Sequence, residues 1–372
     1  MGETSKEEGK NILKRSRWLQ YNKKYTEAIK GYDMILSNPH LPIQVVNEAK
    51  VCKLLAEEKL PVLKSYSFSP EYIHIAEDGR SYYKDNKCSY ILYGEYSPFK
   101  KYFNHQQDWV YIQSPSFKFD KNGIPMVKYD EKFYYNAVTI CQYALHLYDK
   151  YMDGQDNKDK FLNIADFLIK SIKKDGSLRY EFKYNHYECL NEGWASSMSQ
   201  GQALSVFARA YHLTEDPKYI KSGQKVLRYL LTPISEGGVM DNLGTLDKRL
   251  KNKIFFQQYI NSTSTYTLNG HIFTLIGLYD WSNVRCLGNM YYCNTAKRYW
   301  NKGLETLKYI LPYYDMGNFT SYDLNHMVKS SVPSSSDFYH AVHIEQMNVL
   351  YDITKEEYFK NIRDMWISYV KK

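Results

Sequence analysis

From residue 131 to the C-terminus the sequence repeats one arrangement of apolar side chains. Ile140, Tyr143, Ala144 and Leu147 fall at i, i+3, i+4 and i+7. The same spacing returns at Phe161, Ile164, Ala165 and Leu168, at Leu204, Phe207, Ala208 and Tyr211, and at Ile272, Leu275, Ile276 and Tyr279. Each set lays one apolar stripe along a helix. Further helices are expected near 216–231, 295–311, 339–351 and 355–370, which makes about eight of similar length, separated by long polar loops. Antiparallel helix pairs wrapped into a toroid put every second loop at one open end. The pattern predicts an (α/α) barrel.

Upstream the pattern differs. Over residues 5–65, NILKRSRWLQYNKKYTEAIKGYDMIL carries apolar residues at helical spacing. NPHLPIQ breaks it before a second helix, VVNEAKVCKLLAEE, so a helical hairpin is expected. Residues 70–130 are short, aromatic and β-branched, in EYIHI, SYILYGEY, DWVYIQ and SFKFDKNGIPMVKY. Phe117 and Phe119 alternate, Asn122–Gly123 supplies a hairpin turn, and Ile124 and Met126 alternate again. The chain therefore reads as a mainly α protein with a small antiparallel β region. Its expected parts are a helical segment at 1–69, short strands at 70–130 and the barrel at 131–372.

A length of 372 residues, 44% of them hydrophobic and 24% charged, suits a globular chain with a sizeable core. Tyrosine is in excess, with 38 residues against 16 Phe and 6 Trp. Its flat face and hydroxyl suit half-wet core positions and sugar-stacking clefts alike. The net charge of +8 favours acidic partners, but the lysines are scattered without a basic run, which argues against nucleic acid. The opening MGETSKEEGK is polar and resembles neither a signal peptide nor, beyond a loose match, a myristoylation site. No apolar run reaches transmembrane length, so the chain as written reads as cytoplasmic or as a fragment of something longer. The six cysteines form no C-x-x-C pair, and Cys141 reads as a core thiol.

Four loop segments carry polar groups that a core does not need. They are 176–203, the run YINSTSTYTLNG at 259–270, GNFTSYDLNHMV at 317–328 and DFYHAVHIEQ at 337–346. Each enters a predicted helix, where exposed N–H groups and the helix dipole favour an anion such as a carboxylate. The first loop offers Arg179, Glu192, Trp194 and Gln200 as substrate-binding residues. The others offer Tyr259, Asn269, Tyr322, Asp323, His326, Tyr339, His340 and His343. His340 and His343 stand at i, i+3, but no H-E-x-x-H occurs, so no metal is expected. No G-x-S-x-G nucleophile elbow and no nucleotide-binding glycine motif is present. A tyrosine, with an ordinary pKa of about 10, donates a proton without adjustment and accepts one only if its phenolate is stabilised.

Taken together, KFYYNAVTICQYALHLYDKY at 132–151, GWASSMSQGQALSVFARAYHLTEDPKYI at 193–220, YINSTSTYTLNGHIFTLIGLYD at 259–280, GLETLKYILPYYDMGNFTSYDLNHM at 303–327 and YHAVHIEQMNVLYDIT at 339–354 resemble the C-terminal domain of the D-glucuronyl C5-epimerase family. The resemblance implies a β region before an (α/α) barrel, with the family's large central β-sandwich missing or much shortened. It implies cofactor-free inversion at C5 of glucuronate in a heparan-type polymer. A base removes the C5 proton, the carboxylate carries the charge, and an acid returns a proton to the opposite face. By motif, Tyr259, Tyr322 and Tyr339 are the implied catalytic residues, and Gln258, Asn325, His326, His340 and His343 lie beside them in the substrate cleft. An anionic uronate polysaccharide is the implied partner, and a homodimer the implied assembly.

Two positions depart from the family's animal pattern. A glutamate there precedes the first tyrosine, where this chain has Gln258, and an arginine stands in the Y-D-L-x-H motif, where it has Asn325. An amide cannot take up a proton as a carboxylate does. Either Tyr259 or a carboxylate such as Glu192 is then the base, or the chemistry has drifted. A polysaccharide lyase, a hydrolase with two carboxylates and a non-catalytic glycan-binding relative are the alternatives, since the fold alone does not separate them.

Overall fold

The computed structural model describes residues 2–69, 72, 86–103, 114–284, 290–329 and 332–371. Three helices open the chain, α1 (Gly2–Tyr21), α2 (Tyr25–Leu36) and α3 (Ile43–Glu57). A small sheet follows, of β1 (Phe117–Phe119), β2 (Pro125–Tyr129) and β3 (Lys132–Tyr134). Next come α4 (Ala137–Met152) and α5 (Lys158–Ser171), then the short strands β4 (Arg179–Tyr180), β5 (Tyr184–His186), β6 (Glu188–Leu190) and β7 (Trp194–Ala195). After α6 (Ser197–Thr214) and α7 (Pro217–Leu230), β8 (Met240–Asn242) pairs with β9 (Ile254–Phe256). The chain ends with α8 (Leu268–Ser282), α9 (Tyr291–Ile310), α10 (Asn325–Val328), α11 (Asp337–Thr354) and α12 (Glu357–Ser368). The class is the one expected, mainly helical with a few antiparallel strands.

Two compact units emerge. The first comprises Met1–Ser89, Glu305–His340 and Asp364–Lys372, the second Tyr90–Leu304 and Ala341–Arg363. In the first unit the stretch expected as one helix over NILKRSRWLQYNKKYTEAIKGYDMIL is two. Lys23 adopts a left-handed φ of 59° between α1 and α2, which ends one helix and turns the chain back. The stripe of α2 (Ala28, Tyr32, Ile35) and that of α3 (Ala49, Cys52, Leu55) are then buried together. Tyr32 donates its buried hydroxyl proton to Gln20 at 2.7 Å. The Leu63 N–H donates to the Tyr313 hydroxyl at 2.9 Å, tying this segment to the 305–340 stretch of the same unit.

In the second unit the apolar stripes read from sequence are the buried faces. Ile140, Ala144, Phe161, Ile164, Leu204, Phe207, Ile272 and Leu275 all lie in the core. α6 and α8 approach closely because glycines face each other across them. A Cβ on Gly277 would sit 2.0 Å from the Gly201 carbonyl oxygen, and one on Gly201 would sit 2.5 Å from the Thr274 Cα. Neither neighbour is a flexible side-chain end, so alanine at either place would force the helices apart.

The Asn122–Gly123 turn forms as expected. Gly123 has φ +76°, Asp120 accepts from the Asn122 and Ile124 N–H groups, and Phe117–Phe119 pairs with Pro125–Tyr129. SYILYGEY does not form a strand. Side chains take its backbone and hydroxyl groups instead. Glu345 accepts from Ile91 N–H at 2.8 Å, Asn348 donates to the Tyr93 carbonyl at 3.1 Å, and Tyr96 donates to Asp280 at 2.9 Å. Farther on, Asp149 accepts from Tyr102 N–H at 2.6 Å, and Arg209 donates to the Lys100 carbonyl at 3.3 Å. Residues 90–103 thus form a strap tied to α11 and to the C-terminal turns of α4, α6 and α8. Burial pushes the Asp149 carboxyl up to about 7 and that of Glu345 up to about 8. Most of EYIHI and all of DWVYIQ lie outside the described residues. Among the described residues no helix is long and apolar enough to cross a membrane.

Candidate functional site

In the second unit Gln258, Tyr259 and Asn269 lie at the N-terminal end of α8. The β8–β9 hairpin delivers Gln257, Gln258 and Tyr259 there, and His271 fixes its register. The Phe256 N–H donates to His271 Nδ1 at 3.0 Å, so the imidazole is neutral with its proton on Nε2. Burial holds its pKa down at about 3, and its ring lies flat on Phe255 at 4.0 Å. Gln257 completes the lock. Its carbonyl accepts from the Ser197 N–H at 3.0 Å, and its amide donates to Asp241 at 3.0 Å.

Tyr259 then joins an aromatic platform. Its ring stacks on His186 at 3.8 Å and Tyr184 at 5.7 Å, with Trp194 6.1 Å away. Trp194 is held from behind by Tyr180 at 4.0 Å and donates its indole proton to the Phe182 carbonyl at 3.0 Å. Tyr184 and His186 were not singled out from the sequence. The alternation in KYNHYECL was the available signal, because the β5–β6 hairpin points every second side chain to one face. Gln258 donates from Nε2 to the Tyr259 hydroxyl at 3.1 Å.

The polar run 259–270 is accounted for mostly by anchoring. Ser262 donates from its N–H and hydroxyl to Glu188 at 2.8 and 2.7 Å, Ser264 donates to Asp241, and the Tyr266 hydroxyl donates to the Asn242 carbonyl at 2.9 Å. Asn269 sits in the first turn of α8, and its backbone carbonyl accepts from Gln346 at 2.9 Å. His343 is fully buried on α11, and Gln200 is fully buried near the start of α6. Arg179 spends its guanidinium on the loop itself, donating to Ser177, the Gly193 carbonyl and Asp175 at 2.7, 2.9 and 2.8 Å. That makes it a positioning residue for the turn carrying Trp194. Glu192 is exposed on that turn.

In the first unit the structure brings Tyr322 and Tyr339 together, with ring centroids 4.2 Å apart. The Tyr322 N–H donates to the Ser334 carbonyl at 2.6 Å, and Ser335 donates to the Thr320 carbonyl at 2.6 Å, so the two loops are stitched to each other. Asn325 is buried in the short α10, its N–H donating to Asp323 at 3.0 Å. His326 is met edge-on by Tyr72 at 5.3 Å. His340 works as a clamp. The Thr320 N–H donates to its Nδ1 at 3.1 Å, so Nε2 carries the proton and donates to the Trp366 carbonyl at 3.0 Å. Asp315 braces the same region, accepting from Trp366 Nε1 at 3.0 Å and from the Gly317 N–H at 2.8 Å.

Burial holds His186, His326 and His340 at a pKa of about 4. The folded values lie below the unfolded value of about 6.5. Their contribution to stability is therefore intact above pH 6.5 and is lost as pH falls from there through about 4. In an NMR titration the imidazole signals of His271 and His340 should stay at their neutral positions from pH 8 down to 5. Protonation shifts near pH 6.5 at either residue would mean that its ring is not clamped as described.

Residues 172–368 match the model of a family described as D-glucuronyl C5-epimerase C-terminus. The chain belongs to the D-glucuronyl C5-epimerase family. It is 30% identical to the D-glucuronyl C5-epimerase of Caenorhabditis elegans over 225 residues, 58% of this chain and 35% of that enzyme. The chain thus spans about a third of the length of that relative. It is also 27% identical over 250 residues to an uncharacterized protein of Methanocaldococcus jannaschii, covering 66% of this chain and 70% of the other. Among solved structures, a polysaccharide lyase aligns over 81% of this chain and 71% of its own, with 10% identity and a TM-score of 0.39. The family match takes in all the candidate residues named above, from Arg179 to His343. It also takes in the β4–β7 strands that carry the aromatic platform. Among the described residues no group of three or more His, Cys, Asp or Glu side chains is arranged to hold a metal ion.

Proposed function

We propose that this member of the epimerase family acts on a glucuronate-containing polysaccharide, exchanging the C5 proton of a glucuronyl residue and inverting that carbon to L-iduronyl. The observation that carries the reading is the contact between Tyr322 and Tyr339, the tyrosines of the Y-D-L and Y-H motifs, at 4.2 Å between ring centroids. Hydrogen at C5 is acidified by the adjacent carboxylate. Inversion needs one group to take the proton from one face and another to return one from the opposite face. Tyrosine hydroxyls serve as acid directly and as base when the phenolate is stabilised. Tyr259, the third tyrosine that the family motifs imply, lies in the second unit on a platform whose flat faces suit a pyranose ring.

A second reading has its own observation. Gln258 occupies the place where a carboxylate base is implied, and it is engaged by the Tyr259 hydroxyl. A chain that kept the cleft and lost the base would bind the glycan without turning it over. Incubation with a panel of glucuronate polymers in heavy water separates the possibilities. Deuterium at C5 supports epimerisation, whereas an ultraviolet-absorbing unsaturated uronate marks a lyase. Binding with neither product overturns the catalytic reading.

A further inference from the structure

The second unit holds a cavity of about 450 Å³ that the reaction scheme does not use. Its walls are the rings of Tyr93, Tyr96, Tyr102 and Phe103 from the strap, with Met152 at the end of α4 and Val349 on α11. These rings are fixed before any ligand arrives. The Tyr96 hydroxyl donates to both Asp280 oxygens at 2.9 Å, and the Tyr93 carbonyl accepts from Asn348 at 3.1 Å. Tyr102 stacks on Phe103 at 4.9 Å, and Phe103 on Phe273 at 5.4 Å. A close-packed interior leaves few voids larger than a water molecule, whereas a preformed space of this size with aromatic walls has the character of a small-molecule site. It lies by the C-terminal turn of α8, through Asp280. That helix runs 15 residues, about 22 Å, from the turn that meets Gln258. A molecule bound here therefore leaves the Tyr259 platform free.

Charge at the rim selects what enters. Glu95, Lys100 and Lys101 line the cavity and are exposed. Lys101 is paired with Asp153, and Glu95 lies 3.9 Å from Lys355. Among the described residues no carboxylate pairs with Lys100, so its ammonium is the charge left over. Behind the strap, the buried carboxyls of Glu345 and Asp149 accept the Ile91 and Tyr102 N–H groups. Burial raises both toward neutrality, so they oppose an incoming anion less than free carboxylates would. Arg209 is neutralised by Asp280.

We infer that this cavity is a second binding site, for a small aromatic carboxylate whose ring lies among Tyr93, Tyr96, Tyr102 and Phe103 and whose carboxylate meets Lys100 at the rim. The rings supply apolar area and offset or edge-on contacts, and the lysine supplies the preference for an anion. The site goes beyond the proposed function and does not depend on it.

Calorimetry at low salt with three probes that share one ring system tests it: naphthylacetate, its neutral amide and naphthylethylammonium. The carboxylate should bind about three- to fivefold tighter than the amide, and the ammonium most weakly. Lys100→Met should bring the carboxylate down to the affinity of the amide and leave the amide unchanged. Val349→Trp fills the cavity from α11 and should weaken all three about tenfold or more. Gly94→Trp is the second filling variant, because a Cβ at Gly94 meets open space and asks no movement of the fold. Absence of binding to the wild-type chain overturns the inference. So does an amide or ammonium that binds as tightly as the carboxylate, or a preference that survives Lys100→Met. Undiminished binding in both tryptophan variants places the probes elsewhere and overturns it as well. C5 exchange takes no part in the readout, so failure here leaves the epimerase reading untouched.

Discussion

Phenylalanine in place of Tyr322 or Tyr339 is expected to lower deuterium incorporation at C5 by about 10²- to 10⁴-fold, the usual worth of a positioned acid or base. The change removes one hydroxyl from each ring and keeps the 4.2 Å ring contact that packs the two loops. The melting temperature should therefore move by no more than a few degrees. The stitching bonds nearby run through the Tyr322 N–H and through Ser335, and the substitutions leave those in place. If the two phenols act as a pair, the double variant should be barely slower than the worse single one, because groups that act as a unit are not additive. Wild-type exchange in both single variants would remove these tyrosines from the mechanism and return attention to Tyr259.

The largest stability effect is expected far from the chemistry, at Arg209 and Asp280. Both side chains are fully buried in the second unit, 2.7 Å apart. Tyr96 donates to both carboxylate oxygens at 2.9 Å, and the Tyr102 and Tyr148 rings lie 5.2 and 5.6 Å from the guanidinium. Replacing Asp280 by leucine leaves an arginine charge in an apolar, aromatic surrounding, which costs about 3–5 kcal/mol. Urea unfolding should report that loss. The double variant Arg209→Met with Asp280→Leu should recover much of it, since no unpaired charge remains. A loss under about 1 kcal/mol in Asp280→Leu alone would show that Arg209 finds water there, contrary to its full burial.

These two expectations differ in how they could be read from the chain. Tyr322 and Tyr339 lie in motifs, and their candidacy came from residue type and order. Arg209 and Asp280 sit at the ends of apolar stripes, where a charged residue reads as a solvent-facing helix end. Among the described residues the strap of 90–103, laid over the C-terminal turns of α4, α6 and α8, and the Tyr148 ring of α4 cover them. The strand expected over SYILYGEY fails to form for a related reason. SYILYGEY has the composition of a strand, but a strand needs a partner edge, and here side chains of the helices supply the partners instead.

His340 shows the same divide. Its place in a Y-H-x-x-H motif suggested a ligand contact, whereas both of its ring nitrogens are bonded to backbone groups of Thr320 and Trp366. Arg179, a candidate for substrate binding, is committed to Asp175, Ser177 and Gly193. Its neighbours in sequence made both demands equally plausible, and only the turn geometry decides between them.

What the sequence determined by itself was the helical class, the apolar stripes, the Asn122–Gly123 turn and the motif-bearing loops. All of these are set by spacing within a few residues, where periodicity and turn chemistry act. The tertiary structure decided which polar groups are spent on holding the fold and which keep an unsatisfied atom. That choice depends on partners far away along the chain, such as Gln346 on Asn269 or Asp280 on Arg209, and no local pattern encodes it.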